Sequence, residues 1–408
     1  MSGDVLSLQR QSALHDEWLL ERLDTVLPTI MKRAGVDCWV LVAREYNEDP
    51  VVKTMLPATW ITARRRTILV FTDFGADRVA MSRYPVGAAF PGAWAPSEQP
   101  DQWLALAEYL DAREPGQIAI NVSDTFALAD GLSSAEAAAF HNALPSHLRE
   151  RLVNTDTLPI GWLETRSPAE KTIYPDICRR AHGILRTALS PQVVTPGTTT
   201  TTDVVWWLRE RVRVQGYRTW FHPSVSLQRA GANESLDDAI ICPGDLIHID
   251  FGIEYLGLHT DQQQHAYVLR PDEDDAPEGL KQGLAAANQL QDIVMSHFAV
   301  GTTGNEMLAR SLQQARAEGL DPTVYSHPIG LHGHGAGPTI GLWDQQSGVP
   351  GAGDYPLWPD TAYSIELNVT APVREWNQAV CFMLEEDAFF DGERIAFLDG
   401  RQTEFWLI

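Results

Sequence analysis

Cysteine is scarce in this sequence and shows none of the spacings that bind metal ions or build disulfide frameworks. The 408 residues include four cysteines, and no two of them form a Cys-x-x-Cys pair. Thiolate zinc sites use closely spaced cysteines, and disulfide scaffolds are short and cysteine-dense. We therefore interpret the four residues as buried thiols; they are Cys38, Cys178, Cys242 and Cys381.

Long apolar runs and positive charge are also in short supply. No apolar run is long enough to span a bilayer, and the first ten residues lack an apolar signal region, so we expect a cytoplasmic protein without a membrane partner. Lysine and arginine total 31 against 54 aspartates and glutamates, a formal net charge of −23. Nucleic acids and anionic membranes bind clustered basic residues, so the charge argues against both as partners. It suits a cationic substrate group, such as the free amine of a peptide.

The first part of the chain mixes helix and strand patterns and lacks both a nucleotide-binding loop and a nucleophile elbow. Helices are predicted near residues 16–32 and 134–144, and strands near 38–42, 67–72, 78–82 and 117–121. Ser167-Pro168-Ala169-Glu170 has capping-box spacing with proline at the first helical position, which predicts a helix to about Leu189. The sequence thus predicts an α/β (α+β) protein of two domains, residues 1–162 and 163–408.

Two pairs of carboxylates lie late in the chain, and each pair flanks a predicted β-hairpin. In an antiparallel hairpin the index sum of facing residues is constant, so Asp250 faces Asp261 if the turn is centred on residues 255–256. The same arithmetic makes Glu366 face Glu385. Facing side chains lie about 5 Å apart, where two like charges are destabilising. We therefore expect a cation between the members of each pair.

The second part of the chain contains a short internal repeat. Pro196-Gly197-Thr198-Thr199 and Val300-Gly301-Thr302-Thr303 each precede a helix pattern, which ends near Gly216 and Gly319, respectively. Strand patterns follow both helices. If this repeat is structural, each half supplies one helix pair and one carboxylate hairpin. The two hairpins would then meet at a pseudo-twofold axis, which brings four acids together.

Histidines are concentrated between the two hairpins. His327, His332 and His334 occur within eight residues. Carboxylates alone favour magnesium or calcium, whereas a histidine among them shifts the preference toward manganese, cobalt, iron or zinc. The segment is either part of a metal site or a surface loop.

These segments resemble the pita-bread metallopeptidases of family M24, which include methionine aminopeptidase, aminopeptidase P and prolidase, and also the metal-free creatinase. The metal ligands of the family follow the order Asp, Asp, His, Glu, Glu. Similar motifs are His-Ile-Asp-Phe-Gly at Asp250, Gly-His-Gly-Ala-Gly at His334, Ser-Ile-Glu at Glu366 and Leu-Glu-Glu-Asp at Glu385, and Asp261 follows at the family's spacing. The resemblance covers residues 163–408. It implies a pita-bread catalytic domain with a pseudo-twofold repeat after a creatinase-like N-terminal domain.

The resemblance also implies two divalent metal ions, manganese above all, with cobalt, zinc or iron as alternatives. The implied ligands are Asp250, Asp261, His334, Glu366 and Glu385. Asp261 and Glu385 would bridge the ions, and a bridging hydroxide would attack a short peptide or small amide. Glu366 is expected to act as a general acid/base. His327 and His332 are candidates for stabilising the tetrahedral intermediate, and the alternative is that both are supporting loop histidines.

The function implied by the resemblance is that of a metallopeptidase similar to Xaa-Pro aminopeptidase and prolidase. Two alternatives from other classes are a metal-free C–N hydrolase like creatinase and a non-catalytic binding protein on the same fold. Creatinase lacks the full ligand set, so five ligands in order favour the metallopeptidase. Members of the family are often dimers, and we expect a homodimer.

Other positions depart from the family pattern. His332 also fits a His-x-x-Gly pattern, but His334 is preferred as the ligand because glycine precedes it and the following residues align without a gap. That alignment places Gly341 where the family usually has a second histidine that contacts substrate. The remaining departures are residues 233–240, which lack a histidine that many members carry, Gln264 in place of arginine, and Leu367-Asn368 in place of Pro-Gly. We therefore expect an intact metal core and an altered substrate pocket.

Overall fold

The computed structural model describes residues 5–232 and 234–408, and the chain forms two compact units. One unit comprises residues 6–169, and the other comprises residue 5 with residues 170–408. Residues 1–4, part of the segment predicted to lack a signal region, and Asn233, part of the stretch 233–240, lie outside the described residues. The domain boundary predicted between residues 162 and 163 remains a proposal. Among the described residues, no helix has both the length and the apolar character needed to cross a membrane.

Both units of the described chain contain helices and strands. The helices are α1 (Leu8–Ala34), α2 (Pro50–Met55), α3 (Gln102–Asp111), α4 (Ser134–Ala143), α5 (Ser146–Arg149), α6 (Thr157–Glu164), α7 (Pro168–Ala188), α8 (Thr201–Gln215), α9 (Glu278–Ser296) and α10 (Gly304–Ala317). The first nine strands are β1 (Cys38–Arg44), β2 (Arg66–Thr72), β3 (Asp77–Met81), β4 (Ile118–Ile120), β5 (Leu152–Asn154), β6 (Ser224–Gln228), β7 (Leu246–Phe251), β8 (Glu254–Tyr255) and β9 (Leu258–His259). The others are β10 (Gln262–Tyr267), β11 (Pro322–Val324), β12 (His327–Ile329), β13 (Thr361–Ser364), β14 (Leu367–Val373), β15 (Gln378–Leu384), β16 (Asp387–Phe390), β17 (Ile395–Phe397) and β18 (Trp406–Leu407).

The first unit contains a five-stranded sheet in the order β3-β2-β1-β4-β5. β1 is antiparallel to β2 and parallel to β4, so the sheet is mixed. Every helix and strand that the sequence predicts in this part is present, although α1 begins at Leu8 rather than at Asp16. Helix α1 ends at Gly35, whose φ of 68° places it in the left-handed region where glycine is least strained.

The second unit contains the predicted repeat. Strand β7 pairs with β6 on one side and β10 on the other, and β14 pairs with β11 and β15 in the same antiparallel arrangement. The helices α8 and α10 precede these strands, and each begins with a capping box, built on Thr200 with Asp203 and on Thr303 with Glu306. The short repeat at residues 196–199 and 300–303 therefore marks the entry of two equivalent helices.

Helix α9 packs directly on the β14–β15 hairpin and holds it in place. Gly283 is buried in this contact, and a Cβ atom there would lie 2.0 Å from Phe382 of β15. Leu280 and Leu284 lie on the same buried face and belong to the core of this unit. Complete burial of one such side chain contributes roughly 1.5–3 kcal/mol, so the hairpin is fixed by packing before any ligand is considered.

The prediction that the cysteines are buried holds for two of the four. Cys38 and Cys178 are buried, whereas Cys242 and Cys381 are partly exposed. Burial along β15 alternates, and Cys381 falls on its more exposed face. A strand position alone does not fix burial, because the two faces of a strand differ.

Candidate metal centre

The second pair of acids lies at the open end of the β14–β15 hairpin. Leu367 of β14 lies opposite Leu384 of β15 as the first pair of the ladder. Glu366 and Glu385 are the next residues outward, so they continue the same index sum. The predicted register of this hairpin is confirmed, and it places the two carboxylates beside each other.

The first pair of acids is arranged differently from the prediction. Asp250 lies opposite Gln263 in the β7–β10 ladder, so the predicted face-to-face pairing with Asp261 is wrong by two positions. The turn is centred one residue later, at Leu256 and Gly257, and both have positive φ, 55° and 77°. Two such residues form the tight turn that suits a twisted hairpin. Because strand side chains alternate, a shift of two leaves Asp261 on the same face as Asp250.

The two hairpins meet at one pair of residues. The backbone N–H of Gln263 donates to the carbonyl oxygen of Glu385 at 3.0 Å, and the N–H of Glu385 donates back at 3.4 Å. Carboxylate oxygens of Asp250, Asp261 and Glu385 lie within 4.8 Å of one another. The hairpins therefore bring acids from both halves of the repeat to one place, as the repeat predicts.

His327, at the start of β12, lies among these acids. Its Nε2 atom is 3.4 Å from Oε1 of Glu385 and 3.8 Å from both Oδ2 of Asp261 and Oε2 of Glu366. Its Nδ1 atom is 3.0 Å from the carbonyl oxygen of Pro328, which can only accept, so Nδ1 carries the proton. Nε2 faces the acids, and in the neutral ring it is the nitrogen that can bind a metal ion.

His334 lies beside His327 rather than between the acids. The two rings meet edge to face with centroids 4.4 Å apart, and His334 is exposed on its other side. His334 can share a metal ion with Asp261 and His327, but its ligand atoms are in no group with Glu366 or Glu385 among the described residues. Burial and the neighbouring His327 lower the pKa of His334 to about 4. The geometry favours His327 as the histidine ligand and leaves His334 facing outward.

His332 lies to one side of the acids. Its ring stacks on His259 with centroids 6.3 Å apart, and it belongs to none of the possible metal-binding groups within the described part of the chain. Gly341 has a φ of 79°, and a Cβ atom there would lie 2.2 Å from the carbonyl oxygen of Val324. No side chain fits at this position in the present backbone, so residue 341 cannot carry the histidine that the family usually has there, and the alignment itself stays a prediction.

The four acids are crowded in a buried environment. Burial, and then the charge of Glu385, raise the pKa values of Asp250, Asp261 and Glu366 well above their ordinary values. Oδ1 of Asp250, Oδ1 of Asp261 and Nε2 of His327 are buried and have no hydrogen-bond partner in residues 5–232 and 234–408. Leaving such atoms unsatisfied costs about 1–3 kcal/mol each.

Divalent metal ions fit this set of atoms. The three buried, unpartnered atoms belong to residues of the groups that could hold a metal ion, and they offer lone pairs to it. A mixture of carboxylate oxygens with one imidazole nitrogen suits manganese, cobalt, iron or zinc better than calcium. The predicted ligand types are thus present together, with His327 in addition to the five predicted positions.

Trp220 lies beside the loop that contains Gly333 and His334, and the sequence did not predict this position. Its Nε1–H donates to the carbonyl oxygen of Thr260 at 3.0 Å, and its ring meets His334 edge-on at 5.0 Å. A Cβ atom on Gly333 would lie 2.2 Å from the indole, so this loop glycine is required by close approach. The sequence feature that could have indicated it is the run of three aromatic residues, 220–222, just before β6.

We expect the metal-free protein to become less stable as the pH rises above about 6.5. A carboxyl group with a raised folded-state pKa holds a proton that the unfolded chain releases, so the free energy of unfolding falls with rising pH until that pKa is passed. This sign applies to Asp250, Asp261 and Glu366, and also to His182, where Glu386 and Asp399 outweigh burial and raise the pKa to about 10. Thermal unfolding of the EDTA-treated protein should show a lower midpoint at about pH 8.5 than at about pH 6.5.

The pH range begins at about 6.5 because two histidines have the opposite effect on the free energy of unfolding below that pH. Burial lowers the pKa values of His248 and His265 to about 4 and about 3. Below about pH 6.5 these histidines therefore bind protons in the unfolded chain but stay neutral in the folded protein. They oppose the effect of the acids below pH 6.5 and not above it. Asp261→Asn should reduce the slope above pH 6.5. An unchanged slope would show that the acids do not set it.

Solved structures with the same fold place this arrangement among known proteins. X-Pro aminopeptidase from Thermotoga maritima MSB8 matches with a TM-score of 0.65 and 16% identity over 92% of this chain and 99% of that chain. Xaa-Pro dipeptidase from Bacillus anthracis matches with a TM-score of 0.63 and 16% identity over 98% and 100%. Prolidase from Pyrococcus furiosus gives 0.59 and 15% over 92% and 100%. A comparison with curated protein sequences found no match.

These similarities confirm the predicted fold class. Residues 176–390 match the model of metallopeptidase family M24, which is slightly more than half of the chain. The match confirms the resemblance seen in the sequence and the predicted class of metal-dependent peptidase. The chain belongs to metallopeptidase family M24.

Proposed function

We propose that this protein is a dinuclear metal-dependent hydrolase that cleaves a short peptide or a small amide. The observation that carries this proposal is the convergence of Asp261, Glu366 and Glu385 on Nε2 of His327, with Asp250 grouped beside Asp261 and Glu385. Like charges gathered in a buried place are unfavourable without a counterion. Their retention together with a histidine is explained by a function that needs bound cations.

Two groups of residues would hold the two ions. His327, Glu366 and Glu385 form one group, and Asp250, Asp261 and Glu385 form the other. Glu385 belongs to both, which supports its proposed bridging role. Asp261 lies within 3.8 Å of His327 through Oδ2, which supports the same role for it. His327 takes the place that the sequence assigned to His334, and His334 becomes the alternative ligand.

The chemistry would divide between the ions and the protein. When bound, the two ions would supply an activated water as nucleophile and would polarise the carbonyl of the scissile bond. Glu366 is the most exposed of the acids around His327, with 17% of its side chain accessible, so it can exchange a proton with a substrate at Oε2. His334 is exposed beside His327 and can donate a hydrogen bond to the oxygen of the tetrahedral intermediate. His332 remains a second candidate for this role.

The substrate that we propose is a short peptide or a small amide. The names of the similar structures refer to X-Pro and Xaa-Pro peptides and to prolidase, which supports a peptide with proline. The altered positions of the substrate pocket, Gln264 and Leu367-Asn368 among them, support a different or smaller amide. The acids favour a substrate with a free cationic amine. We further propose a homodimer in the cytoplasm, with manganese as the preferred metal.

We expect about two divalent ions per chain and hydrolysis that depends on them. The metal content of protein dialysed against MnCl2 and then desalted measures the first, and loss of turnover in EDTA with recovery in MnCl2 measures the second. Xaa-Pro peptides, Met-Xaa peptides and small non-peptide amides should be compared side by side. We expect turnover of a small amide, with slower cleavage of Xaa-Pro dipeptides than by an ordinary aminopeptidase P.

Three outcomes would change the proposal. Hydrolysis that persists without metal would favour the creatinase-like alternative. Metal binding without turnover of any substrate class would favour the binding protein. Efficient cleavage restricted to Xaa-Pro peptides would show that the altered positions do not determine specificity.

A further inference from the structure

Three consecutive glutamines lie against three consecutive acids at the metal centre. Each amide nitrogen donates to a different one of these three carboxylates, and all six side chains are buried: Gln262 to Asp387 at 3.0 Å, Gln263 to Glu385 at 2.8 Å, and Gln264 to Glu386 at 3.1 Å. Gln264 stands where the resemblance predicts arginine. The row therefore supplies hydrogen bonds to the acids without supplying any positive charge.

Gln263 has the most complete set of contacts in this row. Its Nε2 donates to Oε1 of Glu366 at 2.5 Å as well as to Oε2 of Glu385 at 2.8 Å. Its Oε1 lies 2.9 Å from Nε2 of His248. The amide has two N–H donors and one carbonyl, and each has a partner. The backbone of Gln263 also exchanges two hydrogen bonds with Glu385, so main chain and side chain act at the same junction.

The orientation of this amide follows from its partners. Nε2 of His248 lies 2.9 Å from Oε1 of Gln263 and can donate to it. A flipped amide would turn its carbonyl oxygen toward two carboxylates, which can only accept when ionised. The nitrogen faces Glu366 and Glu385, as these contacts require once the acids are ionised. His248 then donates to Gln263, and its tautomer is fixed by the same contact.

We propose that Gln263 is a positioning residue that holds the carboxylates of Glu366 and Glu385 in the orientation that binds the metal ions. This inference rests on the proposed function. A cation at position 263 would satisfy the same carboxylates but would compete with the metal ions for their charge. An apolar side chain at position 263 would leave the carboxylates of Glu366 and Glu385 free to rotate. A neutral double donor orients them and leaves their negative charge for the ions.

Residues that hydrogen-bond to metal ligands affect metal affinity and activity by a measurable amount. Changing a group that orients a ligand typically lowers metal affinity or activity by about 10- to 100-fold. Gln263 contacts two proposed ligands at once, and one of them, Glu385, is shared between the two groups. We therefore expect Gln263→Met to weaken Mn²⁺ binding by about 10- to 100-fold. The value of kcat should fall with it at saturating Mn²⁺, while KM for the substrate should change little.

A matched control is available in Gln402. This glutamine is also buried, and its amide bonds only to backbone atoms of His265 on β10, with both distances 2.7 Å. Gln402→Met removes a buried amide and two short hydrogen bonds without touching an acid. Both variants should lose stability in the metal-free state, because each loses buried hydrogen bonds. Only Gln263→Met should lose metal affinity.

Titration of MnCl2 into the metal-free proteins by isothermal calorimetry, well below their unfolding temperatures, separates the two roles. Gln263→Asn is the second variant if Gln263→Met does not fold, because it keeps an amide but is too short to reach both acids. Parental affinity in either folded variant, or an equal loss in Gln402→Met, would overturn the inference alone. A parent protein that binds no Mn²⁺ would overturn the proposed function and this inference with it.

Discussion

Asp261→Asn is expected to abolish tight metal binding and turnover while making the metal-free protein more stable. Asp261 is 3% exposed, and burial with the charges of Glu385, Asp250 and Glu366 raises its pKa. Asparagine keeps the shape and removes one of the crowded charges. Loss of a bridging ligand should exceed the roughly 10- to 100-fold scale of a group that only supports a ligand. Because the folded protein disfavours the ionised carboxylate at this position, we expect a higher free energy of unfolding for the metal-free variant.

The opposite signs of the two effects distinguish a ligand from a structural residue. Metal content by elemental analysis and the unfolding midpoint in EDTA measure them separately. Asp49 provides a matched control, because it is 1% exposed, has a pKa raised by burial to about 6, and caps α2 in the other unit. Asp49→Asn should leave metal content unchanged. An Asp261→Asn protein with two ions and normal turnover would show that Asp261 is not a ligand.

His327→Ala and His334→Ala should have separable effects. Nε2 of His327 lies within 3.8 Å of three acids, so its removal should deplete the bound metal and abolish turnover. His334 is grouped with only one of those acids, Asp261, and faces solvent, so its removal should leave the metal in place. Turnover of His334→Ala should fall by about a hundredfold, the scale for loss of one donor to the intermediate.

The measurement is the metal content of both variants beside turnover at saturating MnCl2. His332→Ala belongs in the same series, because its ring stacks on His259 away from the acids. We expect it to keep its metal. If His334→Ala loses the ions and His327→Ala keeps them, the assignment made from the sequence motif is correct and the one made from the geometry is not.

The residue types of the site and their order could be predicted from the sequence, because they depend on local pattern. The register of the second hairpin was also predictable, since Glu366 and Glu385 follow directly from a symmetric strand pattern. The register of the first was not, because its turn places Leu256 at a φ of 55°, a conformation that leucine rarely adopts. Pattern alone would have put the turn one residue earlier.

The choice among three histidines depended on information that spacing does not contain. A Gly-His-Gly motif favoured His334, but β12 pairs with β13 and thereby carries His327 to the acids. The glutamine row was invisible for a similar reason. Gln263 meets Glu366 and Glu385 only because two hairpins separated by about a hundred residues come together. Contacts of this kind require the tertiary structure.

Because the proposed ligands come from both halves of the repeat, bound metal ions would also stabilise the fold. Asp250 and Asp261 come from one half of the repeat, and Glu366 and Glu385 come from the other. Ions shared by these groups would act as a reversible cross-link between the two halves. The strength of such a link is set by mass action, and a free metal concentration one hundred times the dissociation constant stabilises the bound fold by about 2.7 kcal/mol. The resistance of this unit to unfolding would therefore follow the supply of metal in its surroundings.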